Sequence, residues 1–286
     1  MSFWYSPAGE KGTISCPFHG WEFEASGQCV AIPYSSAPVP ALAKTRSWTV
    51  RVHFDTAVVV WFDAEGRAPL YELHIPSELR DRASSGWRVH GFSATQFQMH
   101  ITEMAENSAD YYHFNRIHRP MPLPLVGRFL EIEHVTKRGD DGHVCYADEW
   151  ATVFLKVPLF GTRFKLPIPL ARTRVTFEGP SLVHFQIFTE LGEIRMLNAL
   201  LPVKPFELHT ETTWFAAPTV PAWLVRIVSA IAQGALEQDR PLWETKSYIK
   251  RPFLVKGDGP FNAHRAWFTQ FYSEHSADAA KNLMEW

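Results

Sequence analysis

Over residues 1–80 the apolar positions come in short runs. Thr13-Ile14-Ser15-Cys16 and Val58-Val59-Val60-Trp61 are two of them, and Gly9, Gly12, Gly20, Gly27 and Pro33 punctuate the stretch. Short β-branched runs closed by turn formers predict strands, so this part reads as a small all-β domain. Residues 69–87 are charged and irregular. They read as the connection to a second domain, which takes residues 81–286. Alternation returns over residues 88–101 (Val89, Gly91, Phe92, Phe97, Met99) and predicts a strand. Residues 103–117 predict one helix that closes before Pro120. Residues 131–219 hold several β-rich runs, Val183-His184-Phe185-Gln186-Ile187-Phe188 among them, with turn signals at residues 139–142, 179–180 and 202–205. The last element is a long helix from residue 222 to about 249, rich in Leu, Ile, Val, Ala and Glu. Pro241 within it has no N–H to donate and predicts a kink or a break into two helices. An antiparallel sheet wrapped on a long C-terminal helix is an α+β arrangement that can enclose a ligand cavity.

The 286 residues suffice for one large or two modest domains with a buried core. With 46% hydrophobic and 20% charged residues the composition is that of a globular protein. The net charge of −2 carries no electrostatic footprint for nucleic acid. Aromatic residues at 14%, with 21 Phe and 11 Trp, fit a roomy apolar interior or pocket and equally a large packed core. Cys16, Cys29 and Cys145 are too few for a disulfide framework, and a reducing compartment is the simpler reading. The longest apolar stretches, residues 57–62 and 221–232, fall short of the ~20 residues of a membrane helix, and Arg226 interrupts the second. No signal peptide is expected, since no apolar run follows a basic start.

Three constellations carry chemistry. In Cys16-Pro17-Phe18-His19-Gly20-Trp21 a thiolate and an imidazole stand three apart in a turn after a strand. That spacing can place a soft and a borderline ligand at one metal centre. In Asp110-Tyr111-Tyr112-His113-Phe114-Asn115-Arg116-Ile117-His118, introduced by Glu106-Asn107, Asp110 and His113 lie a turn apart on the predicted helix and His118 lies near its end. Two imidazoles and one carboxylate form the facial triad of Fe(II) oxygenases, which leaves open positions on the metal. The string Glu237-Gln238-Asp239-Arg240 in the last helix offers a carboxylate from a distant part of the chain. Each string alone also fits a wet helix face or a half-buried Cys; the combination is what speaks for a metal site.

In this order the strings resemble the Rieske non-haem iron oxygenases, and the resemblance runs through nearly the whole chain. It is strongest to the Neverland-type cholesterol 7-desaturase branch and more distant to the 3-ketosteroid 9α-hydroxylase oxygenases. Ile32-Pro33-Tyr34, Glu106 to Asp110, residues 243–252, Lys256-Gly257-Asp258-Gly259-Pro260 and Gln270-Phe271-Tyr272-Ser273 add to it. The resemblance implies a partial Rieske domain over residues 1–80 and a helix-grip-like mononuclear iron domain over residues 81–286. It implies His113, His118 and Asp239 as ligands of a mononuclear Fe(II), and Cys16 and His19 as ligands of a [2Fe–2S] cluster. Asp110 and Asn107 are the catalytic candidates, Asp110 meeting His19 of a neighbour in a head-to-tail homotrimer. The implied partners are a sterol and a flavin- or ferredoxin-type reductase fed by NAD(P)H. The implied location is the endoplasmic-reticulum membrane, with a cytoplasmic location as the alternative because these residues hold no expected anchor. The implied reaction is cholesterol 7-desaturation with O₂, with steroid hydroxylation as its alternative.

A Rieske centre takes two Cys and two His, and no Cys or His occurs in residues 1–15. The family's Cys-x-His pair then falls before Met1, which reads as an N-terminal truncation. Cys29 is the one nearby substitute, in a turn the family places away from the cluster. Two other functions compete: a silent sterol-binding isoform, and a zinc hydrolase using His113, His118 and Asp239.

Overall fold

The computed structural model describes residues 12–53, 57–74, 76–119, 129–157, 162–247, 249 and 251–275. The chain divides into two compact units, residues 1–52 with 58–69, and residues 53–57 with 70–286.

In the first unit β1 (Ile14–Ser15), β2 (Glu22–Phe23) and β3 (Cys29–Ala31) form a three-stranded antiparallel sheet. A second ladder pairs β4 (Val50–His53) with β5 (Ala57–Val60). The expected small β domain is therefore present as short strands around a small core of Cys16, Phe23 and Cys29, backed by Trp21, Ile32, Val39 and Ala43. The turn between β1 and β2 is closed by Cys16 N–H to Trp21 O (2.8 Å) and Gly20 N–H to Cys16 O (2.9 Å). Gly20 sits at φ +72°, and a Cβ there would meet Pro33 at 3.0 Å, so the turn admits only glycine without strain.

The connecting segment is less irregular than its sequence predicts. It contains two single-turn helices, α1 (Ser77–Arg80) and α2 (Arg82–Ser85). Asp81 caps the second by accepting from Ser84 N–H, and Leu79 is fully buried. The second unit is built on a seven-stranded antiparallel sheet of β6 (Arg88–Phe97), β7 (Leu130–Asp141), β8 (Val144–Val157), β9 (Thr162–Glu178), β10 (Leu182–Thr189), β11 (Gly192–Lys204) and β12 (Glu207–Ala216). Its order is β6-β12-β11-β10-β9-β8-β7. From β8 onward each strand pairs with its predecessor, and the long excursion from β6 to β7 at the far edge carries the two helices of the site.

One face of this sheet is apolar by simple alternation. Val183, Phe185 and Ile187 on β10 stand opposite Asn198, Met196 and Ile194 on β11, and Phe177 and Val175 on β9 continue the rows. That face packs on α5 (Ala222–Thr245) and α6 (Phe261–Thr269). Trp243 lies edge-on to Phe97 at 5.5 Å, and Trp267 and Phe268 pack with Phe177 in the same cluster.

Two helical expectations need correction. The single helix expected over residues 103–117 is two, α3 (Ile101–Asn107) and α4 (Tyr111–Arg116). The Ser108 hydroxyl donates to Ala105 O and the Asp110 carboxylate accepts from His113 N–H, so side chains end one helix and start the next. In the last long helix Pro241 neither ends nor divides α5, which runs through it and stops at Thr245 rather than near residue 249. Among the described residues no helix is long and apolar enough to cross a membrane.

Candidate metal centre

Three buried side chains from two distant stretches converge in the second unit: His113 on α4, His118 just past its end, and Asp239 on α5. One donor atom from each lies within 4.8 Å of the others. The imidazole rings of His113 and His118 are 5.2 Å apart and nearly perpendicular, and His118 Nε2 is 3.2 Å from Asp239 Oδ2.

The position of α4 is over-determined. Its first turn is capped by Asp110, whose carboxylate accepts from His113 N–H at 3.1 Å. Tyr111 N–H donates to Asp258 O (3.1 Å), and the Tyr111 hydroxyl accepts from Arg138 N–H (2.9 Å) on β7. Asn115 forms a reciprocal pair with the backbone of His134, donating to its carbonyl and accepting from its N–H, both at 2.9 Å. Gly259, at φ +113°, lies against the carbonyl of Ala109, where a Cβ would come within 1.9 Å. The loop string 256–260 thus meets the start of α4 through the backbone on either side of Asp110.

A second cluster, on α3, is ionic. Glu103 and Glu106 on α3 are both buried; Lys246, just past α5, pairs with both, and Arg265 on α6 pairs with Glu106. Burial pushes the Glu103 carboxyl up and the Lys246 charge pulls it back only in part. Asn107, at the end of α3, donates its amide to Asp239 Oδ2 at 3.0 Å. Of these residues, Glu103, Lys246 and Arg265 were not picked out from the sequence, and Asn115 stood in the histidine string without a role. A lone charge on a helix carries no signal of the partner it meets more than a hundred residues away.

The donors are arranged for a cation. His113 Nδ1 is 2.5 Å from the Asp110 carbonyl, which can only accept, so Nδ1 carries the proton and Nε2 is bare. His118 Nδ1 faces Gln238 Oε1 at 3.0 Å. His113 Nε2 and Asp239 Oδ1 are buried with no hydrogen-bond partner. Unpaired buried acceptors are costly, and a bound cation removes that cost at both atoms. Burial holds the His113 imidazole below its ordinary range, outweighing the Asp110 carbonyl and the Asp239 charge. At His118 burial also pulls down, but the hydrogen bond and charge of Asp239, with Gln238, leave it raised. Two imidazoles and one carboxylate on one side of a metal match the ferrous facial set.

The other predicted ligands lie in the first unit. Cys16 is buried, and His19 is exposed with its ring 4.0 Å from that of Phe18. Among the described residues no third His, Cys, Asp or Glu joins them in a metal-binding group. Cys29 is buried in the same small core, and all three cysteines are free. The residues present do not complete the Cys₂His₂ set of a Rieske cluster.

Residues 60–272 match the family model for the 3-ketosteroid 9α-hydroxylase C-terminal domain, and residues 6–48 match that for the Rieske [2Fe-2S] domain. Cholesterol 7-desaturase nvd of Bombyx mori is 33% identical, over 96% of this chain and 59% of its own. Cholesterol 7-desaturase of Caenorhabditis elegans is 28% identical, over 96% and 67%. The probable 3-ketosteroid-9-alpha-monooxygenase oxygenase component of Rhodococcus rhodochrous is 29% identical, over 91% and 65%. The chain thus spans roughly three-fifths to two-thirds of the length of these relatives. Among solved structures, Pseudomonas putida CBB5 NdmA with caffeine superposes with a TM-score of 0.60 at 15% identity, covering 96% of this chain and 76% of that one. Dicamba monooxygenase bound to dicamba gives 0.58 at 16%, over 94% and 81%. At such identities the likeness is one of fold.

Proposed function

Since this chain belongs to the Rieske-type non-haem iron oxygenases, in the branch defined by the 3-ketosteroid 9α-hydroxylase C-terminal domain, we propose that His113, His118 and Asp239 hold a mononuclear Fe(II) that oxidises a sterol. The observation that carries this reading is the convergence of those three buried donors, two of them with bare, unpartnered atoms. Bound there, ferrous iron supplies the O₂ activation that no side chain provides.

The chain's own residues prepare the site. Asp110 and Asn115 fix α4 so that His113 Nε2 enters at a constant angle. Asn107 holds one Asp239 oxygen and leaves the other free. Burial of all three donors excludes competing water. The reaction we assign is cholesterol 7-desaturation: two substrate hydrogens and two NAD(P)H-derived electrons, with protons, reduce O₂ to water. A flavin- or ferredoxin-type reductase supplies the electrons. Its support is the similarity to cholesterol 7-desaturases of Bombyx mori and Caenorhabditis elegans. Hydroxylation of a 3-ketosteroid is the second reading, favoured by the Rhodococcus rhodochrous relative. In either case a head-to-tail trimer would bring Asp110, whose side chain is partly exposed, to a neighbouring subunit's His19.

Anaerobic titration with Co(II), a spectroscopic stand-in for Fe(II), tests the site. One equivalent is expected to bind the native chain and none to bind the His113→Ala or Asp239→Ala variants. Adding cholesterol or a 3-ketosteroid to the cobalt form then tests the substrate. A change in the cobalt absorption with cholesterol alone supports desaturation, and with the ketosteroid alone the second reading. No change with either defeats the sterol assignment.

A further inference from the structure

Resting on the metal reading above, we infer that Gln238 is a positioning residue that sets the tautomer of His118 and so makes its Nε2 available to the metal. A ligating imidazole needs one bare nitrogen and keeps its proton on the other. At His113 the main chain settles this, because the Asp110 carbonyl holds Nδ1–H. At His118 two acceptors compete for the proton. Asp239 Oδ2 lies 3.2 Å from Nε2 and draws it to the nitrogen that must be bare. Gln238 Oε1 lies 3.0 Å from Nδ1 and draws it to the other side. With Gln238 removed, the neutral ring would settle as Nε2–H donating to Asp239, and both donors of that pair would be spent on each other.

The two competitors are consecutive residues of α5, so any movement of the helix carries ligand and tautomer clamp together. Gln238 differs from a carboxylate in one respect that matters here: its acceptor is neutral. A Glu in its place would keep an acceptor on Nδ1 while adding a second negative charge beside the His₂Asp set. The role can therefore be separated from charge and from bulk.

The test compares the native chain with Gln238→Leu, Gln238→Asn and Gln238→Glu, using Co(II) titration and ¹⁵N spectra of labelled histidine in the metal-free protein. Leu has no acceptor, and Asn is one methylene too short to reach Nδ1. Both are expected to weaken Co(II) binding about ten- to hundredfold and, at a pH above the raised titration of His118 where its ring is neutral, to shift it from Nδ1–H toward Nε2–H. Gln238→Glu is expected to retain Nδ1–H and to restore affinity to the native level or above. Should the Leu variant not fold, the Asn and Glu pair decides alone. Native Co(II) affinity and an unchanged tautomer in the variants without an acceptor would overturn the inference. A native chain that binds no Co(II) would instead overturn the metal reading, and the nitrogen spectra would still report on Gln238.

Discussion

Asp239 shows how much of a candidate metal site lies outside its three proposed ligands. One of its oxygens accepts from Asn107 and faces His118, while the other is buried and bare. A hydrogen bond to a charged group contributes about 1.5–3 kcal/mol, so Asn107 holds the carboxylate against rotation that would pair its free oxygen elsewhere. The Asn107→Leu variant is expected to bind Co(II) at least about tenfold more weakly than the native chain, as read by absorption titration. Equal affinity would mean that the carboxylate is held by its own packing. At this scale the sequence was partly legible. His113, His118 and Asp239 stood out only together, as strings in the order of a known family, since each alone reads as a wet helix face. Asn107 was singled out, but its partner was hidden, because nothing local says that an amide at the end of α3 meets a carboxylate 132 positions later. Gln238 sat inside a quoted string without a role for the same reason.

Between elements, the break between α3 and α4 and the presence of α6 decide where those residues stand. Apolar periodicity runs through residues 103–117 with no Gly or Pro to interrupt it, so pattern alone joins the two helices. Capping by Asp110 and the contact of Gly259 with Ala109 divide them. The helix α6 was not foreseen, although Phe261, His264, Trp267, Phe268 and Phe271 follow helical spacing after Pro260. His264 stands in no partner pattern along the sequence. It is fully buried among the rings of Phe177, Trp267 and Phe268, with both ring nitrogens unpartnered. Burial, helped by the charges of Arg138 and Arg265, lowers its pKa from 6.5 to about 3. Below the unfolded value the unfolded chain takes up a proton that the folded chain refuses, so stability is full above about pH 6.5 and falls as pH drops toward 3. The slope is at most about 1.4 kcal/mol per pH unit. Urea unfolding of the native chain and of His264→Leu at pH 7.5, 6 and 5 is expected to show a gap between them that shifts in favour of the variant as pH falls. A gap constant across that range would mean that His264 finds a proton partner in the folded state.

For the whole molecule, the α+β class was legible from the strand and helix patterns, and the family from order along the chain: a Cys-x-x-His turn, then two histidines, then a carboxylate in the last long helix. The cofactor inventory is a different matter, since it depends on counting donors in each unit. The second unit has a complete set in His113, His118 and Asp239. The first contributes Cys16 and His19, which would give each iron of a [2Fe–2S] cluster a single protein ligand where the Cys₂His₂ pattern gives two. Cys29 is the only other Cys in that unit, and it belongs to the small apolar core without joining a metal-binding group among the described residues. Anaerobic reconstitution of these 286 residues with iron and sulfide is therefore expected to give about one iron per chain and no acid-labile sulfide. About three irons with two sulfides would mean that the first unit finds ligands beyond Cys16 and His19, Cys29 first among them. Iron near one that disappears in Asp239→Ala but persists in Cys16→Ala would place the metal in the second unit and separate its folding from the completeness of the first.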